Sequence, residues 1–290
     1  MKSLLKNLLV VSCVLVAFSA CKHGRLWFSG SSSDTLCVDT FKYSKTDSTA
    51  GRLIKVEIEA DYPSPITGPL SASVASWIRT SISKNAAPTD TMDGQKVVDF
   101  LGKQIFENYE STADDFVNEM DYMATAKLVS KRRNYVSYVL STYEYTGGAH
   151  GMKTVVGRTF SQIDGKQYGW ELLKDTAKTG FRKLLKKGAR KYFSTDKSRG
   201  EITDEELCEM LLLDISGSPV TVQQLDSFPL PSTPPYFTRQ GVTFVYQAYE
   251  IAPYAAGIPT FTKRQKQWEI VNGFGGYKRW YGTAFVIDDV

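Results

Sequence analysis

The side chains best equipped for chemistry in this sequence lie in two tyrosine-anchored, glycine-rich segments. The first is Tyr145-Thr146-Gly147-Gly148-Ala149-His150-Gly151; the second is Tyr249-Glu250-Ile251-Ala252-Pro253-Tyr254-Ala255-Ala256-Gly257. His150 is the one histidine of the folded body, since the other, His23, lies in the amino-terminal stretch. As a general base, His150 needs an oriented nucleophile or water within hydrogen-bond reach. As a zinc ligand it needs several nitrogen or sulfur companions, which a lone histidine lacks. Neither a Gly-x-Ser-x-Gly elbow nor a His-Glu-x-x-His pair occurs. Gly147-Gly148 permits positive φ angles and close backbone approach, so His150 reads first as a turn residue, then as a ligand contact. In the second segment, Pro253 fixes its own φ and biases Ala252 toward extended backbone. Glu250, the one charged side chain there, either bonds a turn amide or faces a partner. No catalytic, metal or cofactor residue is assigned. The candidate binding residues are Tyr145, Gly147, Gly148, His150, Tyr249, Glu250 and Tyr254, placed on loops where a rigid sheet often presents its binding groups.

The elements that must position these loops follow from periodicity. Arg52 to Ala60 alternates, with Ile54, Val56, Ile58 and Ala60 on one side and Lys55, Glu57 and Glu59 on the other, which predicts a half-buried strand. Leu70, Val74, Trp77, Ile78 and Ile82 follow helical spacing. A second helix is predicted over Gln95 to Tyr109. Strands are predicted near Tyr122–Lys131, Tyr135–Tyr145 and Thr154–Ile163, with Asp164-Gly165 as a turn signal. Beyond it, helices are predicted over Lys178–Phe193 and Asp204–Leu213. The second of these opens with Thr203 and Glu206 in capping-box spacing. Val242–Tyr249 and Pro259–Thr262 read as strands. Strand runs interrupted by helix pairs predict an α+β fold: antiparallel sheets with packed helices in two consecutive modules, 51–160 and 161–265. The tail 266–290, with Trp268, Tyr277 and Trp280, reads as an added strand pair or a sugar-stacking surface.

The amino terminus reads as an address. Lys2 and Lys6 precede an apolar run, Leu8 to Phe18, that is short for a span of about 20 residues. Phe18-Ser19-Ala20-Cys21 resembles a bacterial lipobox. Residues 1–20 are then a signal peptide, Cys21 is the lipidation site, and 21–50 is a tether rich in glycine and serine at Ser29–Ser33. Phe18 also leaves ordinary signal-peptidase cleavage open. Lipidation anchors a protein to a membrane without spanning it. The 35 basic residues less Lys2 and Lys6 leave 33 against 31 acidic; so small a positive excess gives no reason to expect nucleic acid. Hydrophobic residues at 42% and charged residues at 23% fit a folded body. Cys37 and Cys208 could pair in an oxidising compartment, but Cys208 sits among Leu207, Leu211 and Leu212, a setting typical of a free thiol.

The two segments, together with Tyr143-Glu144 before the first, resemble an extracytoplasmic domain of the RsiV/PdaC type. That domain occurs in lysozyme-sensing anti-sigma factors and ahead of some peptidoglycan deacetylase domains. Asp164-Gly165-Lys166 followed by Trp170-Glu171-Leu172-Leu173 is similar to the family's turn and the start of its helix. The resemblance runs from about Arg52 to Thr262. It implies recognition of lysozyme or cell-wall glycan. Sigma signalling and deacetylation are not carried over, because the sequence shows no membrane-length apolar run, no sigma-binding segment and no deacetylase domain.

Two charge clusters bear on partners. Lys178, Arg182, Lys183, Lys186, Lys187, Arg190 and Lys191 form a basic helix, either a solvated face or a contact for anionic glycan or lipid headgroups. Glu201, Asp204, Glu205, Glu206 and Glu209 would complement a cationic lysozyme better. The expected function is a cell-envelope lipoprotein, anchored in the outer membrane and facing the periplasm, that binds lysozyme or peptidoglycan-type glycan without catalysis. The alternatives are a peptidoglycan hydrolase or deacetylase, and a purely structural lipoprotein.

Overall fold

The computed structural model of the chain describes residues 36–49, 51–83, 92–112, 117–173, 179–194, 198, 200–212 and 219–264. Cys21, the leader and the tail 266–290 lie outside the described residues. No described helix is long and apolar enough to cross a membrane.

The α+β expectation is borne out. Among the described residues, β1 (Val38–Thr49), β2 (Arg52–Pro63), β3 (Glu119–Lys131), β4 (Tyr135–Tyr145), β5 (Met152–Ser161) and β6 (Gln167–Tyr168) form one sheet in chain order. Between β2 and β3 the chain makes two helices, α1 (Pro69–Ile82) and α2 (Gly94–Thr112). This crossover brings β3 alongside β2 in parallel, Leu53 opposite Glu119 and Ala60 opposite Ala126, whereas every other pair in the sheet is antiparallel. A helical connection of this length is what parallel neighbours require.

The alternation read in β2 sets the core. Val56, Ile58 and Ala60 are buried with Tyr122, Ala124 and Ala126 of β3, beneath Leu70, Val74 and Ile78 of α1 and Val97, Leu101 and Ile105 of α2. Trp77 meets Phe160 and Tyr138 edge-on, at centroid distances of 5.9 and 6.4 Å. Pro69 occupies the first turn of α1, where its missing N–H costs nothing. The Ser71 hydroxyl accepts the Thr67 and Gly68 N–H groups at 3.0 Å.

The tether expected over 21–50 is corrected in its last third, since Val38–Thr49 is β1, paired along its whole length with β2. Its only large apolar residues besides Val38 are Phe41 and Tyr43, whose rings lie on Gly94 and Gly102 of α2. Glycine lets helix and strand approach there, and any Cβ would sit within 2.2 Å of a ring carbon.

The remaining described residues build a smaller layer. α3 (Thr179–Phe193) and α4 (Asp204–Met210) pack with a three-stranded antiparallel sheet in the order β7 (Tyr236–Phe237), β8 (Gly241–Val245), β9 (Thr260–Arg264). Its core joins Phe181, Leu185, Leu207, Leu225, Phe228, Phe244 and Tyr246. Thr203 caps α4 as its sequence predicts, accepting from the Glu206 N–H at 3.2 Å while Glu206 accepts from the Thr203 N–H at 2.7 Å. No disulfide joins Cys37 to Cys208, and burial pushes the Cys208 thiol up, consistent with an inert thiol.

Candidate functional site

The first loop links β4 to β5. Its turn is written in backbone: Gly147 and Gly148 adopt φ +96° and +94°, a region that L side chains rarely occupy. The Tyr145 hydroxyl closes the turn by donating to the Gly148 carbonyl at 3.0 Å. A Cβ on Gly147 would press on Val117 at 3.2 Å, whereas one on Gly148 would meet nothing. Glu144, at the end of β4, accepts from Tyr109 of α2 at 2.7 Å. Burial, and then this carboxylate, raise the tyrosine hydroxyl's pKa.

The second loop is held by side chains. Strand β8 stops at Val245, short of the strand expected through Tyr249: residues 248–250 form a turn instead, with the Glu250 N–H on the Gln247 carbonyl at 3.1 Å and Tyr249 at a left-handed φ of +65°. Both carboxylate oxygens of Glu250 are engaged, one by the Ser232 N–H and the other by the Gln247 N–H at 2.6 Å. Of the two roles open to Glu250, the structure gives it the turn amide. Tyr192 of α3 donates to the Ala256 carbonyl at 2.8 Å, behind the turn that Gly257 completes at φ +74°.

The two loops meet. His150 stacks flat on Tyr254, with ring centroids 3.7 Å apart and planes 14° apart. Its Nδ1 lies 3.0 Å from the Gly151 carbonyl and its Nε2 lies 3.0 Å from the Tyr249 hydroxyl. A carbonyl only accepts, so Nδ1 carries a proton; in the neutral ring Nε2 then accepts from Tyr249. The Tyr254 hydroxyl donates to the same Gly151 carbonyl at 2.8 Å. His150 is exposed, and Tyr249 is 51% exposed. The structure thus brings together Tyr249, Tyr254 and His150. It places Tyr145, Gly147 and Gly148 in the turn that presents His150, and sets Glu250 behind the second loop.

A residue that the periodicity did not single out ties the second loop to the large sheet. Gln247 donates from Nε2 to the Val155 carbonyl at 2.8 Å and accepts the Val155 N–H at 3.1 Å. Its carboxamide therefore imitates a strand partner on the outer edge of β5. Next to it lies an open cleft of about 380 Å³ lined by Lys153, Val155, Ala248, Tyr254, Gly257, Ile258 and Thr260. Lys153 was also missed. Its one signal was a position on the strand leaving the first loop.

The charge clusters are partly spent inside the fold. Lys186 pairs with Asp204 at 2.6 Å, Arg190 donates to the Ile202 carbonyl at 2.6 Å, and Arg182 donates to the Phe228 carbonyl at 2.8 Å. Lys183, Lys187 and Lys191 form the exposed stripe of α3. Of the five acids, Asp204 and Glu206 serve α3 and the α4 cap, leaving Glu201, Glu205 and Glu209 exposed.

Residues 56–153 match the family model described as deacetylase PdaC, and residues 171–262 match that of a protein of unknown function, DUF3298. Together the two matches span most of the described body. The chain carries the PdaC and DUF3298 regions of the PdaC/RsiV-type domain family. The first match ends at Lys153, just past the first loop, and the second takes in all of the second loop. His150 in the PdaC-type part therefore meets Tyr249 and Tyr254 in the DUF3298 part. A DUF3298-family crystal structure from Bacteroides fragilis NCTC 9343 shares the fold, at TM-score 0.62 and 19% identity over 80% of this chain and 91% of that one. Another, from Pseudomonas aeruginosa PAO1, has TM-score 0.55 and 16% identity over 80% and 92%. No curated protein matches the chain.

Proposed function

We propose that this PdaC/DUF3298 protein is a cell-envelope lipoprotein, anchored through Cys21, that acts as a non-catalytic binding module for lysozyme or peptidoglycan-type glycan. The observation that carries the reading is the convergence of two loops, distant in sequence, on an exposed aromatic cluster beside an open cleft. A concave site with apolar walls and a few convergent polar groups is the usual form of a ligand site. Flat aromatic rings such as Tyr249 and Tyr254 suit the apolar faces of sugar rings and the side chains of a protein partner alike. The non-catalytic reading draws on how the polar groups are used. Both His150 nitrogens and both Glu250 oxygens are committed within the protein, so neither side chain offers an unengaged base to a substrate. That same commitment favours the structural lipoprotein as a second reading.

Calorimetric titration of the purified protein with lysozyme and with soluble muropeptides tests the proposal. Saturable binding of one of them, weakened by Tyr249→Ala, is expected. Absence of binding to both would leave the structural reading in its place. Peptidoglycan left unchanged in mass after incubation with the protein is the matching expectation for a non-enzyme.

A further inference from the structure

The cleft contains a length of strand edge with no partner. Along an antiparallel strand, the backbone N–H and C=O of alternate residues point to the same side. On β5 the outward set is fixed by three observations: Val155 bonds Gln247 in both directions, the Ser161 N–H donates to the Lys166 carbonyl, and the Gly151 carbonyl accepts from Tyr254. Lys153 shares that parity. Its N–H and C=O therefore point away from β4 and into the cleft, whose lining includes Lys153 itself. Among the described residues, nothing takes them. The second loop caps the outer edge on either side of Lys153, with Tyr254 at Gly151 and Gln247 at Val155, and leaves this one amide pair bare.

We propose that the cleft takes a short, extended, anionic peptide that adds to β5 at Lys153. This deepens the binding reading above and rests on it. A peptide residue lying antiparallel to Lys153 would donate to its carbonyl and accept from its N–H, which is how strand addition obtains affinity without reading side chains. The Tyr254 ring and the Val155, Ala248 and Ile258 side chains give the flanking peptide groups an apolar wall. The exposed Lys153 ammonium, on the same residue as the open amide, suits a carboxylate. A cleft of about 380 Å³ accommodates a few residues rather than the broad epitope of a folded protein. A protein loop is thus the less favoured occupant.

Proline set against alanine separates the backbone from the side chain. Lys153→Pro removes an N–H that serves no ladder bond, a position where a strand tolerates proline; Lys153→Ala removes the charge and keeps the amide. The purified protein is titrated with trialanine, its carboxy-terminal amide, an N-acetylated chitooligosaccharide and lysozyme, following backbone amides by NMR. Trialanine is expected to move the Lys153 amide downfield, and Lys153→Pro to bind it about tenfold more weakly than Lys153→Ala does, the scale of one hydrogen bond. Lys153→Ala should weaken trialanine but not its amide. An unmoved Lys153 amide at saturating trialanine, or the same trialanine affinity in Lys153→Pro as in Lys153→Ala, overturns the inference. If the oligosaccharide or lysozyme binds and Lys153→Pro leaves that unchanged, the strand-addition inference falls while the binding-module reading stands; if nothing binds, both fall.

Discussion

The two loops reach the same surface by opposite means. The β4–β5 loop gets its shape from backbone, through Gly147 and Gly148 at positive φ and a single tyrosine hydroxyl across the turn. The loop after β8 gets its shape from side chains: Glu250 gathers two amides, Tyr192 holds Ala256, and Tyr249 bears a left-handed backbone that glycine would adopt more readily. A backbone-made turn can hold its shape alone. A side-chain-made turn depends on the helix and strand behind it. This difference explains why the second loop reaches across to the first, since Tyr254 finds its partner in Gly151 and Gln247 finds its own in Val155 of β5.

The largest effect that would break this contrast is Glu250→Ala. It strands the Ser232 and Gln247 N–H groups, and about 2–4 kcal/mol of stability should be lost, read as a lower urea midpoint at unchanged m-value. Glu250→Gln should lose less, because one amide can still be accepted. On the backbone-made side, Gly147→Ala should cost about 1–3 kcal/mol, from strained φ together with the approach to Val117. Gly148→Ala has the same φ and open space, so it should cost less; equal costs would show that conformation alone decides.

How far the fold was legible depended on whether the signal was local. The β2 alternation, the α1 and α2 stripes, β4 and the Thr203–Glu206 cap could be read because each places its own side chains. β1 was not read, because its partners Gly94 and Gly102 are far along the chain and its alternation is carried by only two aromatics. The parallel β2–β3 pairing was hidden because strand direction is set by the intervening crossover. The two loops were legible as a pair, yet their meeting was not, since no local pattern places Gln247 on Val155.

Smaller effects sharpen the contrast further. Tyr249→Gly relieves the left-handed backbone while removing the His150 contact, so stability should change by less than about 1 kcal/mol. Ligand affinity should nevertheless fall. The smallest effect concerns Asp121, which pairs across β3–β4 with Tyr145. Burial raises its carboxyl pKa. A group whose folded pKa is raised favours the native state below its unfolded pKa, and that contribution is lost as pH rises through the folded value. Asp121→Asn should therefore flatten the acid side of the stability profile and leave the protein no less stable at neutral pH.

The central claim is that the two loops form one binding surface. The most direct test is amide chemical-shift mapping of the purified protein during titration with lysozyme and with muropeptides. The account predicts that residues 145–151 and 248–258 shift together, with one affinity, for at least one of these ligands. Shifts confined to a single loop, or to a surface remote from His150 and Tyr254, would contradict it.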